Sequence, residues 1–209
     1  ALMEVSGGIL FFAVSLAMIV SIILGLGMPT VAAYTIVAML IAPALIKQFM
    51  LPELAAHFFV FYAAMLSGIT PPIAIAVAIT TGIAGSDFWK TSIEAIKIAA
   101  PLFVLPFVFI YNPEIVVGGW TPYTIFSGLI VLAGGLVISY GLNTPSIEFR
   151  KLFGILPIGW SLRGLYLVSG ILVMAHPWET VRFGALGIAV LAFIIHVRPT
   201  FHGLPTSTK

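Results

Sequence analysis

Two short stretches of this chain set glycine, proline and hydroxyl residues inside long apolar runs: Gly25-Leu26-Gly27-Met28-Pro29-Thr30 and Ser67-Gly68-Ile69-Thr70-Pro71-Pro72. Proline removes a backbone donor and glycine releases the chain, so each stretch interrupts a helix. An interrupted helix presents carbonyl oxygens at one broken end and amides at the other, and these ends attract a cation and an anion respectively. Gly25, Leu26, Gly27, Ser67 and Gly68 can offer carbonyl oxygen, and Thr30, Ser67 and Thr70 add hydroxyls. Such hard, neutral ligands suit Na+. The amides that open the helical pieces after each break suit an anion.

Other chemistry is poorly represented. With no cysteine the chain has no disulfide, thiolate metal site or cysteine nucleophile. Paired carboxylates, His-x-x-x-His spacing and a Ser, His and Asp set are all missing, which argues against an intramembrane enzyme. Gly25-x-Gly27 follows no strand and lacks the third glycine of a dinucleotide fingerprint. His57 reads as a capping or interfacial residue, and His176-Pro177-Trp178 as an interfacial turn with Trp178, Trp120 and Tyr123 in an aromatic belt. His196 and His202 read as solvated. Apart from Glu94, at the very start of the helix expected over 93–111, no aspartate or glutamate falls inside an expected span, so the chain supplies no carboxylate proton relay.

The elements that hold these residues follow from composition. Of 209 residues 61% are hydrophobic and 8% charged, with a mean hydropathy of +1.18, whereas about a quarter of the residues of a soluble domain are charged. Acidic and basic residues leave gaps of 42, 33 and 33 residues, after Glu4, Glu53 and Glu114. Runs this long exceed the roughly 20 residues of a spanning helix and the roughly 10 of an outer-membrane strand. The expected fold is an all-α polytopic membrane protein. The net charge of +2 and pI near 9.0 come from single basic residues in loops, a topology signal and not a nucleic-acid surface. Lys47, Lys90 and Lys97 belong to that set.

Seven or eight apolar segments can be laid out. One runs from Ser6 to Leu24 and resumes from Thr30 to Lys47. A broken crossing spans residues 54–84, with about fourteen residues on either side of its break. A helix over 93–111 contains Pro101 and Pro106, which should kink it. Unbroken spans follow over 122–142, 158–175 and 181–197, and the tail from Pro199 reads as mobile. Gly134-Gly135 and Gly164 with Gly170 should allow close helix packing. The loop Asn143 to Pro157 carries Arg150 and Lys151 against Glu148, which places it in the cytoplasm by the positive-inside rule and the turn at His176 to Glu179 outside. The chain opens at Ala1, directly before an apolar run, with no visible signal peptide, as a piece of a larger membrane protein would.

Non-helical backbone at membrane depth is costly unless buried in protein or lining a wet cavity. Breaks that only kink packed helices are one reading. Two in succession, each with glycine and threonine beside proline, favour a transporter's binding site.

The motifs around these breaks resemble a known family. Leu24-Gly25-Leu26-Gly27-Met28-Pro29-Thr30-Val31-Ala32-Ala33-Tyr34 and Ala42-Pro43-Ala44-Leu45 are similar to the large membrane subunit of tripartite ATP-independent periplasmic (TRAP) transporters. Four further motifs resemble the fused permeases, in which small and large membrane subunits form one chain: residues 55–62, from Ala55-Ala56-His57; Ile69-Thr70-Pro71-Pro72; Gly82 to Asp87; and Pro106 to Pro113. The resemblance covers about Val5 to Val116.

It implies an elevator-type transporter of two inverted repeats, each a re-entrant hairpin followed by a discontinuous helix. Residues 1–116 would be the second repeat (hairpin 6–47, broken helix 54–84, helix 93–111) and 117–209 a C-terminal extension with about three transmembrane helices. It also implies Na+ as coupling ion with no organic cofactor, and an organic acid delivered by a periplasmic solute-binding protein, often of the TAXI type. The remaining partners would be the rest of the fused permease, with its first repeat and small-subunit portion, and the bilayer of a bacterial or archaeal inner membrane. On that mapping Gly25, Gly27, Ser67, Gly68 and Thr70 hold Na+, and Pro29, Thr30, Thr70 and Pro71 are the candidate substrate residues, the amides near Pro29 and Pro71 meeting the carboxylate of the acid. Where Gly68 stands, many fused members carry an acidic or amide residue, so a side-chain ligand is absent here. A non-transporting scaffold for a larger membrane complex is the alternative function.

Overall fold

A computed structural model of the chain describes residues 2–144 and 156–202. The elements among them are all helices: α1 (Leu2–Val5), α2 (Leu10–Gly25), α3 (Thr30–Leu40), α4 (Ala42–Phe49), α5 (Glu53–Leu66), α6 (Ile75–Ala84), α7 (Phe88–Tyr111), α8 (Glu114–Val117), α9 (Pro122–Asn143), α10 (Leu156–Ala175) and α11 (Glu179–His202). The chain is an all-α polytopic membrane protein. Thr30–Phe49, Phe88–Tyr111 and Pro122–Asn143 are each long and apolar enough to cross a bilayer. Helices α5 and α6, with 14 and 10 residues, reach only about 21 and 15 Å at about 1.5 Å per residue, against about 30 Å of hydrocarbon. They can complete a crossing only in tandem.

Several boundaries differ from the sequence reading, each for a local reason. The first segment is divided at Gly7 and Gly8, both at positive φ, so α2 begins at Leu10 instead of Ser6. Helix α3 gives way to α4 at Ile41, where Pro43 has no N–H to offer the Met39 carbonyl. The piece after the second break has ten residues, not about fourteen, because Pro71, Pro72 and a left-handed Ala74 postpone helix geometry to Ile75. Helix α7 starts five residues earlier than expected because the Asp87 carboxylate accepts the Lys90 amide at 2.8 Å, an N-cap. It continues as helix through Pro101 and Pro106. Helix α11 runs on through Pro199 to His202. The expected cytoplasmic loop with Arg150 and Lys151, and the side chains of His196 and His202, lie outside the described residues.

Two compact units divide the chain, Ala1–Gly128 and Leu129–Lys209. In the first, α5 is the central helix, packed against α2, α3, α4, α7 and α8, while α6 packs on α7. Its buried residues are Ala55, Ala56, Ala63 and Ala64 with Phe59, Val60 and Leu66. Lipid supplies no hydrophobic drive between helices, so small side chains that bring backbones together provide the attraction. Val14, Ala17, Ala33 and Val37 from α2 and α3 complete this core. Phe59 meets Phe107, and Phe58 and Tyr62 both meet Phe109, with ring centroids 6.2, 5.4 and 5.4 Å apart, which fixes α7 to α5.

In the second unit α9 and α10 cross at glycine. A Cβ added to Gly170 would lie 2.9 Å from the Gly134 carbonyl oxygen and 2.5 Å from an Ile138 side-chain carbon. Gly141 makes a second close approach, to Tyr166. Of the glycines expected to pack helices, Gly134 and Gly170 do, but Gly164 meets nothing within 4 Å. Two arginines close helix ends. Arg163 donates to the Thr144 carbonyl at 2.7 Å, just past α9, and buried Arg182 donates through Nε to the Val173 carbonyl in the last turn of α10 at 3.0 Å. Each cation meets the negative end of a helix dipole.

Gly170→Val should destabilise the α9–α10 pair by about 1–3 kcal/mol through overpacking, while Gly164→Ala should be neutral or slightly stabilising. Thermal unfolding of the two variants in detergent separates these outcomes; equal losses would rule out the glycine crossing.

Candidate functional site

The first interruption is a tight turn. Leu26 has φ −59° and ψ 126°, Gly27 has φ +80°, and the Met28 amide donates to the Gly25 carbonyl at 3.2 Å. This is a type II turn, whose third position requires positive φ and therefore glycine. Pro29 then starts α3 with φ −59°, and no side chain caps that helix. Pro29 and Thr30 are exposed. The first amide of the second arm to bond back is that of Ala33, to the Pro29 carbonyl at 3.0 Å. The amides of Thr30, Val31 and Ala32 thus form an uncapped helix start, the arrangement that receives an anion.

The second interruption pairs much of its own backbone. The amides of Ser67, Gly68 and Ile69 donate to the carbonyls of Ala64, Met65 and Leu66 at 3.2–3.3 Å, tightening the last turn of α5. The Ala74 amide bonds the Thr70 carbonyl at 3.2 Å, and the Ala76 amide reaches back to the Gly68 carbonyl at 3.0 Å, joining the start of α6 to the end of α5. The Pro71-Pro72 peptide bond is cis. Two hydroxyls turn inward along the chain: Ser67 Oγ donates to the Ala64 carbonyl at 2.6 Å and Thr70 Oγ1 to the Leu66 carbonyl at 2.7 Å. A hydroxyl whose proton is committed in this way presents only lone pairs outward, which suits it to a cation.

The two interruptions touch. A Cβ added to Gly25 would lie 2.6 Å from Ser67 Oγ, 2.9 Å from Ser67 Cβ and 3.2 Å from the Ala64 carbonyl oxygen. One added to Gly27 would lie 3.4 Å from the Ile73 side chain. No hydrogen bond joins the two segments, so the contact depends on the absence of a side chain at Gly25.

Of the residues expected to hold Na+, Gly25, Gly27 and Ser67 lie at this contact, with Gly68 adjoining and Thr70 one turn further on. The Gly25 and Gly68 carbonyls each already accept one amide, which leaves each a single further lone pair. Of the residues expected to meet substrate, Pro29 and Thr30 stand at the start of α3. Thr70 instead sits against the carbonyl end of α5, and Pro71 precedes the first residue of α6 by four positions. Among the described residues no group of three or more His, Asp or Glu side chains is placed to hold a metal.

One pair was missed in the sequence. Tyr34 on α3 and His57 on α5 are joined by a 3.0 Å hydrogen bond between the phenol oxygen and Nδ1, and Tyr34 also packs edge-on against Phe61, with centroids 5.7 Å apart. His57 is neither a cap nor simply interfacial. It ties α3 to the central helix α5. Both residues stand in motifs singled out above, but nothing in a sequence pairs positions 23 apart.

Residues 1–124 match the family model described as the tripartite ATP-independent periplasmic transporter, DctM component. No curated protein and no solved structure matches the chain. Both interruptions and the Tyr34–His57 pair fall within the matched residues.

Gly25→Ala should force the tip away from Ser67 and cost about 1–3 kcal/mol, whereas Gly68→Ala, whose Cβ would meet only the Met65 carbonyl oxygen at 3.4 Å, should cost less than half as much. Unfolding midpoints of the two variants test the order. A double-mutant cycle of Tyr34→Phe and His57→Phe should return a coupling of about 0.5–1.5 kcal/mol, and strict additivity would show that the hydrogen bond contributes nothing.

Proposed function

The chain belongs to the DctM component family of tripartite ATP-independent periplasmic transporters, and on that premise we propose that it forms part of a secondary transporter coupling Na+ entry to uptake of an organic acid. The family is one of transporters, and membership implies a membrane location and a periplasmic binding protein as partner. In the proposed reading that protein is a solute-binding receptor, for a fused permease of the TAXI type, and the site lies in the inner membrane. The helices α2 to α4 act as the hairpin and α5 with α6 as the discontinuous helix of the second inverted repeat.

The observation that carries the reading is the approach of Gly25 to Ser67. It brings the carbonyl end of α2 beside the carbonyl end of α5, two sources of partial negative charge that a cation between them would relieve. Na+ bound by carbonyls of Gly25, Gly27 and Gly68 and by the oxygens of Ser67 and Thr70 would hold tip and break together. The carboxylate of the substrate would then be met by the uncapped amides at Thr30–Ala32, with Pro29, Thr70 and Pro71 shaping the approach. Coupling arises because the ion binds the closed arrangement more tightly than the open one, so that ion and acid favour the same state.

Proteoliposomes containing the complete parent permease, with its receptor outside and an imposed Na+ gradient, should take up labelled organic acids without ATP. Thr70→Val removes one oxygen at nearly constant shape and Gly27→Val breaks the type II turn; each should raise the Na+ needed for half-maximal uptake by about tenfold, or about 1.4 kcal/mol. Unchanged Na+ activation in both variants would sink the assignment.

A further inference from the structure

The bond between Tyr34 and His57 takes no part in pairing the backbone of either interruption. It joins α3 to α5, phenol oxygen to Nδ1, at 3.0 Å. Two rings one turn apart on α5 meet the Tyr34 ring edge-on, His57 at a centroid distance of 6.3 Å and Phe61 at 5.7 Å. Among the described residues this is the only hydrogen bond that a side chain of α3 makes to another helix, since Thr35 bonds back to Val31 within α3. Tyr34 and His57 are both half-buried.

The other inward contacts of α3 are apolar. Ala33 and Val37 are fully buried in the core shared with α2 and α5. Contacts of this kind set how closely helices approach but carry no direction, whereas a hydrogen bond has a preferred length and angle. Tyr34 follows Thr30 by four residues and so lies on the same side of α3, one turn from the amides of Thr30, Val31 and Ala32. Those three residues are exposed, and no side chain caps them. The angle at which their amides point is therefore set from Tyr34. The approach of Gly25 to Ser67, by contrast, involves no atom of α3.

We propose that Tyr34 and His57 are positioning residues for the transported acid, an inference that rests on the reading that its carboxylate meets the amides of Thr30 to Ala32. Their bond holds the first turn of α3 at the angle that aims those amides at the carboxylate. Donors that act together on one anion have to be held within about 0.5 Å of their productive geometry, and three backbone amides on an exposed turn have no side chains of their own to hold them there. The pair accordingly sets the affinity for the acid. It leaves Na+ binding at the Gly25 and Ser67 contact, and the turnover of the loaded carrier, unaltered.

The test uses the complete parent permease. Affinity is read by equilibrium binding, at saturating Na+ and without receptor, of the labelled acid that the unmodified permease takes up. Maximal rate and the Na+ needed for half-maximal uptake are read in proteoliposomes with receptor. Tyr34→Phe keeps the ring contacts and loses the bond, and should weaken acid binding by roughly three- to tenfold, the worth of one hydrogen bond, while rate and Na+ requirement stay within about twofold. Asparagine carries its amide at the δ position, where Nδ1 stands, and glutamine at the ε position, so His57→Asn should retain the affinity and His57→Gln should lose as much as Tyr34→Phe. A lower unfolding midpoint with unchanged acid affinity in Tyr34→Phe would reduce the pair to a structural tie and overturn the proposal, as would equal losses in the two His57 variants. A Na+ requirement that rises as far as acid affinity falls would overturn it too, because the pair would then act on the ion contact. Uptake indifferent to Na+ in the unmodified permease would instead overturn the transport reading, and this proposal with it. Should Tyr34→Phe fail to fold, the comparison of His57→Asn with His57→Gln decides alone.

Discussion

A backbone amide or carbonyl set in hydrocarbon has no water to fall back on, and leaving one unpaired costs several kcal/mol. Interrupting a helix there is therefore possible only where the chain supplies the missing partners itself. At Ser67 to Ala76 it does so with a tightened last turn on α5, hydroxyls folded onto the Ala64 and Leu66 carbonyls, and the Ala76 amide returned to Gly68. The prolines in the middle need no partner for a donor they lack. The same constraint shapes the hairpin tip, where the Met28 amide closes on Gly25 across a turn that only Gly27 accommodates. With both segments internally paired, they can meet through bare glycine and need no hydrogen bond between them.

The second unit answers the same constraint with charge. Helices α9 and α10 leave carbonyls at their C-terminal ends, and arginines from the following helices, Arg163 and Arg182, reach back to them. A guanidinium serves here because it carries several donors on a long stem and meets the helix dipole at its negative pole. Arg182 is almost fully buried, 1% exposed, and the Val173 carbonyl beside it accepts from its Nε.

What the sequence revealed and what it hid divide along local and tertiary lines. Both interruptions were legible because glycine and proline act on their own neighbours. So was the helical membrane class, because gaps in charge need no knowledge of the fold. The start of α7 was misplaced because Asp87 caps through a side-chain geometry that composition does not signal, and the start of α6 because left-handed Ala74 is an unusual conformation for alanine. The contact of Gly25 with Ser67 and the Tyr34–His57 bond are meetings of distant positions, invisible to periodicity. Gly164 and Gly170 look alike in sequence, yet only the second faces α9. Arg163 and Arg182 were hidden for another reason, since a cation near a helix end reads equally as a topology signal or as a cap.

The alanine face of α5 bears on how the hairpin is mounted. Ala55, Ala56, Ala63 and Ala64 have no rotamers to unlock, so a neighbour displaced along that face meets methyl groups with little interlocking relief, Phe59, Val60 and Leu66 being the exceptions. Resistance to such shear is concentrated at two discrete points: the glycine contact at the tip, and the phenol–imidazole pair further along the second arm. A body held by two pins on a smooth rail is stiff against tilting and compliant against sliding. The direction of easiest motion for the hairpin is accordingly along the axis of α5.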